Sequence, residues 1–206
     1  TADEARRQGL RLLALTRSAT PITSKAHGVV VNASGDTSVR SLAIGAGISG
    51  TVGISISANV PVITTDILAS IGANTSINVD TAGSPNAQQS VTVAAAGDLY
   101  RTGLAGSVGG GTVGIGGGLE TAIISPTVTA SIGKNSEVHA KRDVAVTASS
   151  HQDLIGAAAA AGVGVAVGVS GGVTVFALDS HTTAAIESNA TVTADGNVVV
   201  AAEDIT

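Results

Sequence analysis

Cysteine, methionine and tryptophan are absent from the 206-residue sequence, and Tyr100 and Phe176 are its only aromatic residues. Without cysteine the chain can form neither disulfides nor thiolate sites, so zinc fingers and thiol chemistry are excluded. Ordinary globular cores fill irregular gaps with rings and methionine, whereas stacked, near-identical layers need only small and β-branched side chains. Here Ala, Val, Ile and Leu supply almost all of the 44% apolar content. This composition favours regular layering.

Charged residues are also scarce, at 12% of the chain, and they sum to a net charge of −5. Proteins that bind nucleic acid cluster lysine and arginine to displace counterions, and this chain has only 10 of the two together. We therefore expect no nucleic-acid partner. Residues 1–7 lack the apolar run of a secretory signal, so we expect the sequence to be an interior fragment.

The chain contains an internal repeat. Three nine-residue segments align without gaps and keep Ile, Asn and Ile or Val at the same three places: ASIGANTSI at 69–77, ASIGKNSEV at 130–138 and AAIESNATV at 184–192. Asn74, Asn135 and Asn189 therefore share one position. We expect that position to be a turn, since Asn tolerates φ > 0, and stacked coils would join the three amides in a ladder.

A valine-rich block follows each segment and begins at Val91, Val144 and Val198, with an earlier copy at Val29. The blocks recur after 62, 53 and 54 residues (91 − 29, 144 − 91, 198 − 144). The longer first interval contains a loop insertion at 81–88, indicated by its Gly, Pro and Asn content. The repeat of about 54 residues is long for one solenoid coil and fits two coils, or one coil plus a hairpin.

Long uncharged stretches follow the valine blocks, at 42–65, 102–119 and 155–178. In the first and third, branched aliphatic residues occupy one parity and small residues the other, as in a strand with one bulky and one nearly bare face. The middle stretch changes phase near Gly109, Gly110 and Gly111, which predicts a bend or bulge. A transmembrane helix over 155–178 is the rival interpretation. Period 2 and the many glycines favour strands, so we expect no membrane-spanning segment.

The bare face of these stretches admits two interpretations. It packs closely against another sheet, or it is a flat exposed surface that binds a partner. We favour close packing, because a large exposed apolar sheet face promotes aggregation.

The sequence shows no catalytic, metal or cofactor site, so we expect a non-enzyme without cofactors. His27, His139, His151 and His181 show no metal-binding spacing with one another, and no Ser, His and Asp stand in a catalytic motif. The glycine-rich runs lack the aspartates of calcium-binding β-rolls and the lysine of phosphate-binding loops.

Two alternatives stay open. A carbohydrate-binding or carbohydrate-active β-helix would use paired acids, but two aromatics are poor support for sugar binding. We expect the acids to lie at repeat edges: Asp66, Asp80, Asp98, Asp143, Asp153, Asp179 and Asp195. A self-associating or ice-binding flat β-surface is the other alternative. Ice binding needs a stacked Thr-x-Thr array, and the Thr-x-Thr sequences at 127–129 and 191–193 do not align.

The sequence Asp143-Val144-Ala145-Val146-Thr147-Ala148, with the segment at 130–138 before it and a Gly/Ala/Val-rich stretch after it, resembles the repeats of leukotoxin-type filamentous adhesins. More loosely, it is similar to filamentous-haemagglutinin-like exoproteins of Gram-negative bacteria. The resemblance covers residues 25–206 and implies export to the bacterial cell surface, a β-solenoid rod and a role in adhesion. It carries over no catalytic residue. The long Gly/Ala stretch departs from simple haemagglutinin repeats.

These features predict an all-β, parallel β-helix-like β-solenoid with Val, Ile and Leu inside. Residues 25–206 would form one repetitive domain, with blocks near 29–90, 91–143 and 144–197 and a partial block at 198–206. Residues 1–24 break the pattern, and their capping box and Asp3–Arg7 pair predict a short capping helix, with a degenerate repeat as the alternative.

The function that we expect is a structural stalk segment of an extracellular or bacterial cell-surface, adhesin-like protein. Its partners would be the flanking repeats and, through them, receptors on host or neighbouring cells.

Overall fold

The computed structural model describes residues 27–79 and 86–206, and these residues form an all-β fold without a helix. The capping helix predicted within residues 1–24 lies outside the described residues. The strands are β1 (Gly28–Ile48), β2 (Val52–Asn59), β3 (Val62–Ile71), β4 (Ser76–Ile77), β5 (Ser90–Ile132), β6 (Glu137–Ala140), β7 (Val144–Leu178), β8 (His181–Ile186), β9 (Thr191–Ala194) and β10 (Val198–Ile205).

The strands stack in parallel layers. β1 to β4 form the first layer, β5 and β6 the second, β7 to β9 the third, and β10 begins a fourth. Val29 pairs with Val91, Val91 with Val144, and Val144 with Val198. The chain therefore reaches the next layer only after a full interval between valine blocks. Of the two alternatives for each interval, two coils is wrong, and one coil with a hairpin-like excursion remains.

The first layer is longer than the others at the predicted place. Ile77 pairs with Val138, and Val91 pairs with Val144. The connection from β4 to the next valine block therefore covers 14 positions in the first layer (91 − 77), and the equivalent connection in the second layer covers 6 (144 − 138). The eight extra residues follow Ile77, as the predicted insertion requires, although residues 80–85 lie outside the described ranges.

Each layer runs out along one leg and returns along a second, and a hydrophobic core lies between the legs next to the valine blocks. In the second layer Val91 and Val93 on the outgoing leg face Val128 and Ile132 on the return leg, and all four are fully buried. β-branched side chains pack well on such a pleated surface, and each of them has few accessible χ1 rotamers. The valine blocks of successive layers therefore form one continuous core.

Beyond this core the two legs form a thin double layer, residues 41–59, 103–119 and 156–173, which we call the fin. Glycine, alanine and serine line its interior. A Cβ on Gly109 would overlap the carbonyl oxygen of Ile115, and Gly47 and Gly164 are equally close to opposing backbone. Sheets separated by larger side chains stand about 10 Å apart, so the legs of the fin lie closer than that. The close packing expected for the bare face is confirmed.

The expectation that Val, Ile and Leu lie inside is wrong for the fin, where these side chains point outward. The reason is strand parity. The pairing of β5 with β7 has no register shift before Gly111, so neither strand has a bulge in this stretch. Side chains therefore alternate without interruption, and every second residue from Val91 to Gly109 faces inward. The small residues share the parity of the buried valines and must be inside. The shift after Gly111 lies at the tip of the fin and confirms the predicted bend.

The repeated asparagines form turns, as predicted. Asn74, Asn135 and Asn189 have φ values of 56°, 57° and 60°. The Nδ2 of Asn135 donates to Asn74 Oδ1 over 3.2 Å, and the Nδ2 of Asn189 donates to Asn135 Oδ1 over 3.2 Å. The amide ladder is therefore present. Asn78, with φ 57°, is a further left-handed residue that the repeat does not predict.

The uncharged stretch at 155–178 is a strand and not the rival transmembrane helix, because it lies within β7. No helix that could cross a membrane occurs in residues 27–79 or 86–206.

The glycine contacts predict opposite outcomes at two adjacent positions. Gly109→Ala would force a methyl group into the opposing backbone and cost about 1–3 kcal/mol or more. Gly110→Ala is the matched control, because its Cβ would meet nothing nearer than an Ile48 side-chain carbon at 3.7 Å. That variant should be neutral or stabilised by about 0.5 kcal/mol. Thermal and denaturant unfolding measure both, and equal losses would contradict the close approach.

Candidate functional site

Histidine–carboxylate pairs lie at three separate places on the outside of the second and third layers. The His151 Nδ1 lies 3.3 Å from Asp98 Oδ1, and its Nε2 lies 3.8 Å from Asp153 Oδ1. His139 lies 3.1 Å from Glu137, and His181 lies 3.7 Å from Asp179. Three of these pairs, His139–Glu137, His151–Asp153 and His181–Asp179, are two residues apart in the sequence, and in a strand that spacing places both side chains on the same face. Asp98 lies one layer away from His151. The spacing of two residues between histidine and carboxylate is visible in the sequence, but metal-binding spacings between histidines alone do not reveal it.

These pairs do not assemble into a metal centre within the described ranges. The described part of the chain holds no group of three or more His, Asp or Glu residues that could bind a metal ion. A cavity bordered by Gly35, Ile67, Gly97 and His151 holds about 10 Å³, roughly the space of one water molecule. The expectation that the acids lie at repeat edges is wrong for Asp66, Asp98 and Asp153, which lie within strands.

One ion pair is completely buried where the core meets the fin. The Nη2 of Arg101 donates to Glu120 Oε1, and both side chains are 0% exposed. Asn59 Nδ2 donates to Glu120 Oε2 over 2.7 Å, and the Arg101 guanidinium carbon lies 5.3 Å from the ring centroid of Phe176. The Arg101 Nε and Nη1 atoms make no hydrogen bond with the described residues. The contacts of the ion pair therefore do not fully offset the free energy that it costs to remove the two charged groups from water.

This ion pair belongs to the second layer alone. Arg101 pairs with Val39 on one side and Leu154 on the other, so no second charge stacks on it. Gly103 makes room for the pair, since a Cβ there would overlap the Glu120 carboxylate. Because neither side chain reaches the surface, the pair cannot contact a substrate, and its role is structural.

The fin exposes aliphatic side chains on both of its outer faces. Both outer faces of the fin carry branched side chains, and residues 41–59, 102–119 and 154–178 contain no charge. The outgoing face includes Leu42, Ile44, Ile48, Leu104, Val108 and Val163, and the return face includes Val52, Ile54, Ile56, Leu119, Val169 and Val173. Soluble monomers seldom expose continuous apolar patches above a few hundred Å², and larger ones mark interaction sites. These faces are the candidate functional site.

Comparison of the chain with protein-family models, with curated proteins and with solved structures finds no match to any of them.

The buried ion pair yields a double-mutant prediction. Arg101→Leu leaves the Glu120 carboxylate buried without its cation and should cost about 3–5 kcal/mol. In the third layer, Leu154 pairs with Arg101 and Thr174 pairs with Glu120, so the double variant Arg101→Leu, Glu120→Thr copies the residues of that layer. Its stability should return to within about 1 kcal/mol of the parent. Chemical denaturation of the parent, of each single variant and of the double variant checks this prediction. A double variant as unstable as Arg101→Leu would show that the pair itself holds the layers together.

Proposed function

We propose that the chain is a structural stalk segment, a β-solenoid with coils of about 54 residues, in an adhesin-like protein of the bacterial cell surface. The observation that supports this most strongly is the pairing of Val29, Val91, Val144 and Val198 in one parallel column. A chain whose successive layers repeat the same column has a mechanical role: it provides length, rigidity and display.

The energetics of such a stack suit a stalk. Each layer contacts only its neighbours, so stability accumulates layer by layer, and each added layer lengthens the rod by about 4.8 Å. The open backbone edges of the outer layers accept flanking repeats of the same kind, as β10 begins to do on β7. Flanking repeats are therefore the first partners that we propose, and cell-surface receptors would bind elsewhere on the parent protein.

A catalytic role has less support. Carbohydrate-active β-helices place two acids across a groove. Here Asp98 and Asp153 lie 3.3 Å and 3.8 Å from the two ring nitrogens of His151, and the cavity that Asp98 and His151 border holds about 10 Å³. The other conspicuous charges, Arg101 and Glu120, are buried. We therefore propose a non-enzyme.

Self-association is a second candidate function, and the exposed aliphatic faces of the fin favour it. Ile44, Ile48 and Ile56 are among the most exposed large apolar side chains of the described residues. Covering them would remove apolar surface from water at about 25 cal/mol per Å². A stalk that also associates through its fin would form thicker fibres or paired rods.

The stalk proposal predicts that one whole layer can be removed. Deletion of residues 91–143 joins Ser90 to Val144 and brings the third layer onto the first in the same register. The shortened chain should keep its β-sheet circular dichroism and cooperative unfolding, and small-angle scattering should show a rod shorter by about 4.8 Å.

The matched control removes residues 91–117, which takes out half a layer and should prevent folding. A chain in which both deletions unfold, or both fold equally well, would contradict interchangeable layers and with them the stalk proposal.

A further inference from the structure

We propose that residues 1–24 of this chain pack across the outward side of the valine blocks. That side consists of two columns of residues, one beginning at Val30 and the other at Asn32, and we call it the outer valine face. The occupant is thus the segment for which the sequence predicts a capping helix. The stalk proposal holds with or without this contact.

The outer valine face lies on the side of the sheet that points away from the core. The first column contains Val30, Thr92, Ala145 and Val199, and the second contains Asn32, Ala94, Thr147 and Ala201. Within each strand these residues alternate with the core residues, so strand parity turns them outward. The return leg and β6 contact the valine blocks from the core side, through side chains such as Val128 and Val138.

The burial of this face shows that it is covered. Ala94 is 0% exposed, and Thr147 and Ala145 in the third layer are 7% and 9% exposed. Neither alanine belongs to a core cluster of the described residues. Side chains of neighbouring layers shield an alanine only from the sides, so complete burial requires atoms above it. Because the described strands pack on the opposite side, the covering atoms belong to residues outside 27–79 and 86–206.

The cover crosses the whole stack. In the fourth layer Val198 and Val200 point toward the core and are 46% and 44% exposed, whereas Val199 between them points outward and is less exposed than either. In the first layer the Asn32 Oδ1 atom is buried and makes no hydrogen bond with a described residue. The cover therefore extends from Asn32 to Val199, a distance of three layer spacings or about 14 Å.

Side-chain size favours residues 1–24 as the occupant. The other segment outside the described ranges, residues 80–85, has the sequence Asp-Thr-Ala-Gly-Ser-Pro and contains no large apolar side chain. Residues 1–24 contain four leucines, at positions 10, 12, 13 and 15. Leucine side chains placed over the alanine and threonine side chains of the face give the alternation of large and small residues that close packing requires.

The connection and the length of the segment also fit. Strand β1 begins at Gly28, two residues before Val30, so the preceding residues enter at the edge of the outer valine face. A helix from residue 3 to residue 17 would be about 22 Å long, which exceeds the width of the four layers. Residues 18–26 remain for the connection between such a helix and β1.

Charges beside the outer valine face complement those of the segment. Residues 1–24 contain four arginines and only two acids, whereas residues 80–85 contain one acid and no basic residue. On the outward side, the positions that follow the second column include Asp36, Asp98 and Glu203. Ion pairs along such a rim add little affinity, but they select one orientation of the segment over its reverse.

Maleimide labelling of single cysteines in the full chain tests the cover. Ala94→Cys should react at least about tenfold more slowly than Leu104→Cys, which lies on the same side of β5 at a position that is 42% exposed. Leu10→Asp together with Leu13→Asp places charges in the apolar contact and should accelerate labelling of Ala94→Cys at least about tenfold. Circular dichroism shows whether the strands stay folded in each variant.

Deletion of residues 81–88 is the matched control, because the second and third layers fold without this insertion. It should leave the protection of Ala94→Cys unchanged. Loss of protection in the deletion variant, but not in the leucine variant, would assign the face to the insertion and overturn the proposal. Equal labelling of Ala94→Cys and Leu104→Cys in the otherwise unchanged chain, or protection that survives in a folded leucine variant, would overturn it as well.

Disulfide formation provides a measurement that needs no disruptive variant. Ala94→Cys is combined in turn with Leu10→Cys, Leu12→Cys and Leu13→Cys, and at least one pair should oxidise within a single chain, since a disulfide joins only residues whose backbones lie close together. Ala94→Cys with Ala82→Cys is the control pair and should stay reduced. Failure of all three leucine positions to form the disulfide would show that residues 1–24 do not cover the face.

Discussion

Parallel, in-register stacking of one layer on the next is the interaction on which the rest of the molecule depends. It places every residue about 4.8 Å from its counterpart, so a steric demand met in one layer recurs in all of them. Gly47, Gly109 and Gly162 share one column, and Gly53, Gly114 and Gly168 share another. Both columns lie where the legs of the fin meet backbone to backbone, and the whole fin stays thin because no layer carries a Cβ there.

The same stacking explains where sequence variation is tolerated. The columns that begin at Val29 and Gly47 hold valine and glycine, respectively, in each of their layers, and the exposed turn column holds asparagine in three layers. Columns on the outer face of the fin combine side chains of different sizes. Arg101 and Glu120 interrupt an inner column only once, in the layer where Gly103 makes room for them and where the neighbouring layers supply Asn59 and Phe176. A second such pair one layer away would bring like charges to about 4.8 Å.

Much of this architecture can be predicted from the sequence, because it follows from local rules. The spacing of the valine blocks gives the interval between layers, the repeated Asn gives the left-handed turn, and the phase change near Gly111 gives the bend. The close packing of the small-residue face was predicted correctly, but the outward position of the branched residues of the fin was not, because hydropathy alone places branched residues inside. Counting alternate residues from Val91 along the uninterrupted strand gives the correct face, since strand parity cannot change without a bulge. The Arg101–Glu120 pair could not be predicted, because it joins two legs whose approach depends on the position of the bend.

The central claim is that the fin is glycine-lined inside and aliphatic outside, and native-state labelling of single cysteines tests it most directly. The chain has no cysteine, so each introduced thiol reports on one site. Leu104 is 42% exposed and its neighbour Ala105 is 0% exposed. A maleimide should modify Leu104→Cys in the folded protein about as fast as a thiol in an unfolded peptide, and Ala105→Cys should react only after unfolding. Rapid reaction of Ala105→Cys with protection of Leu104→Cys would contradict the account.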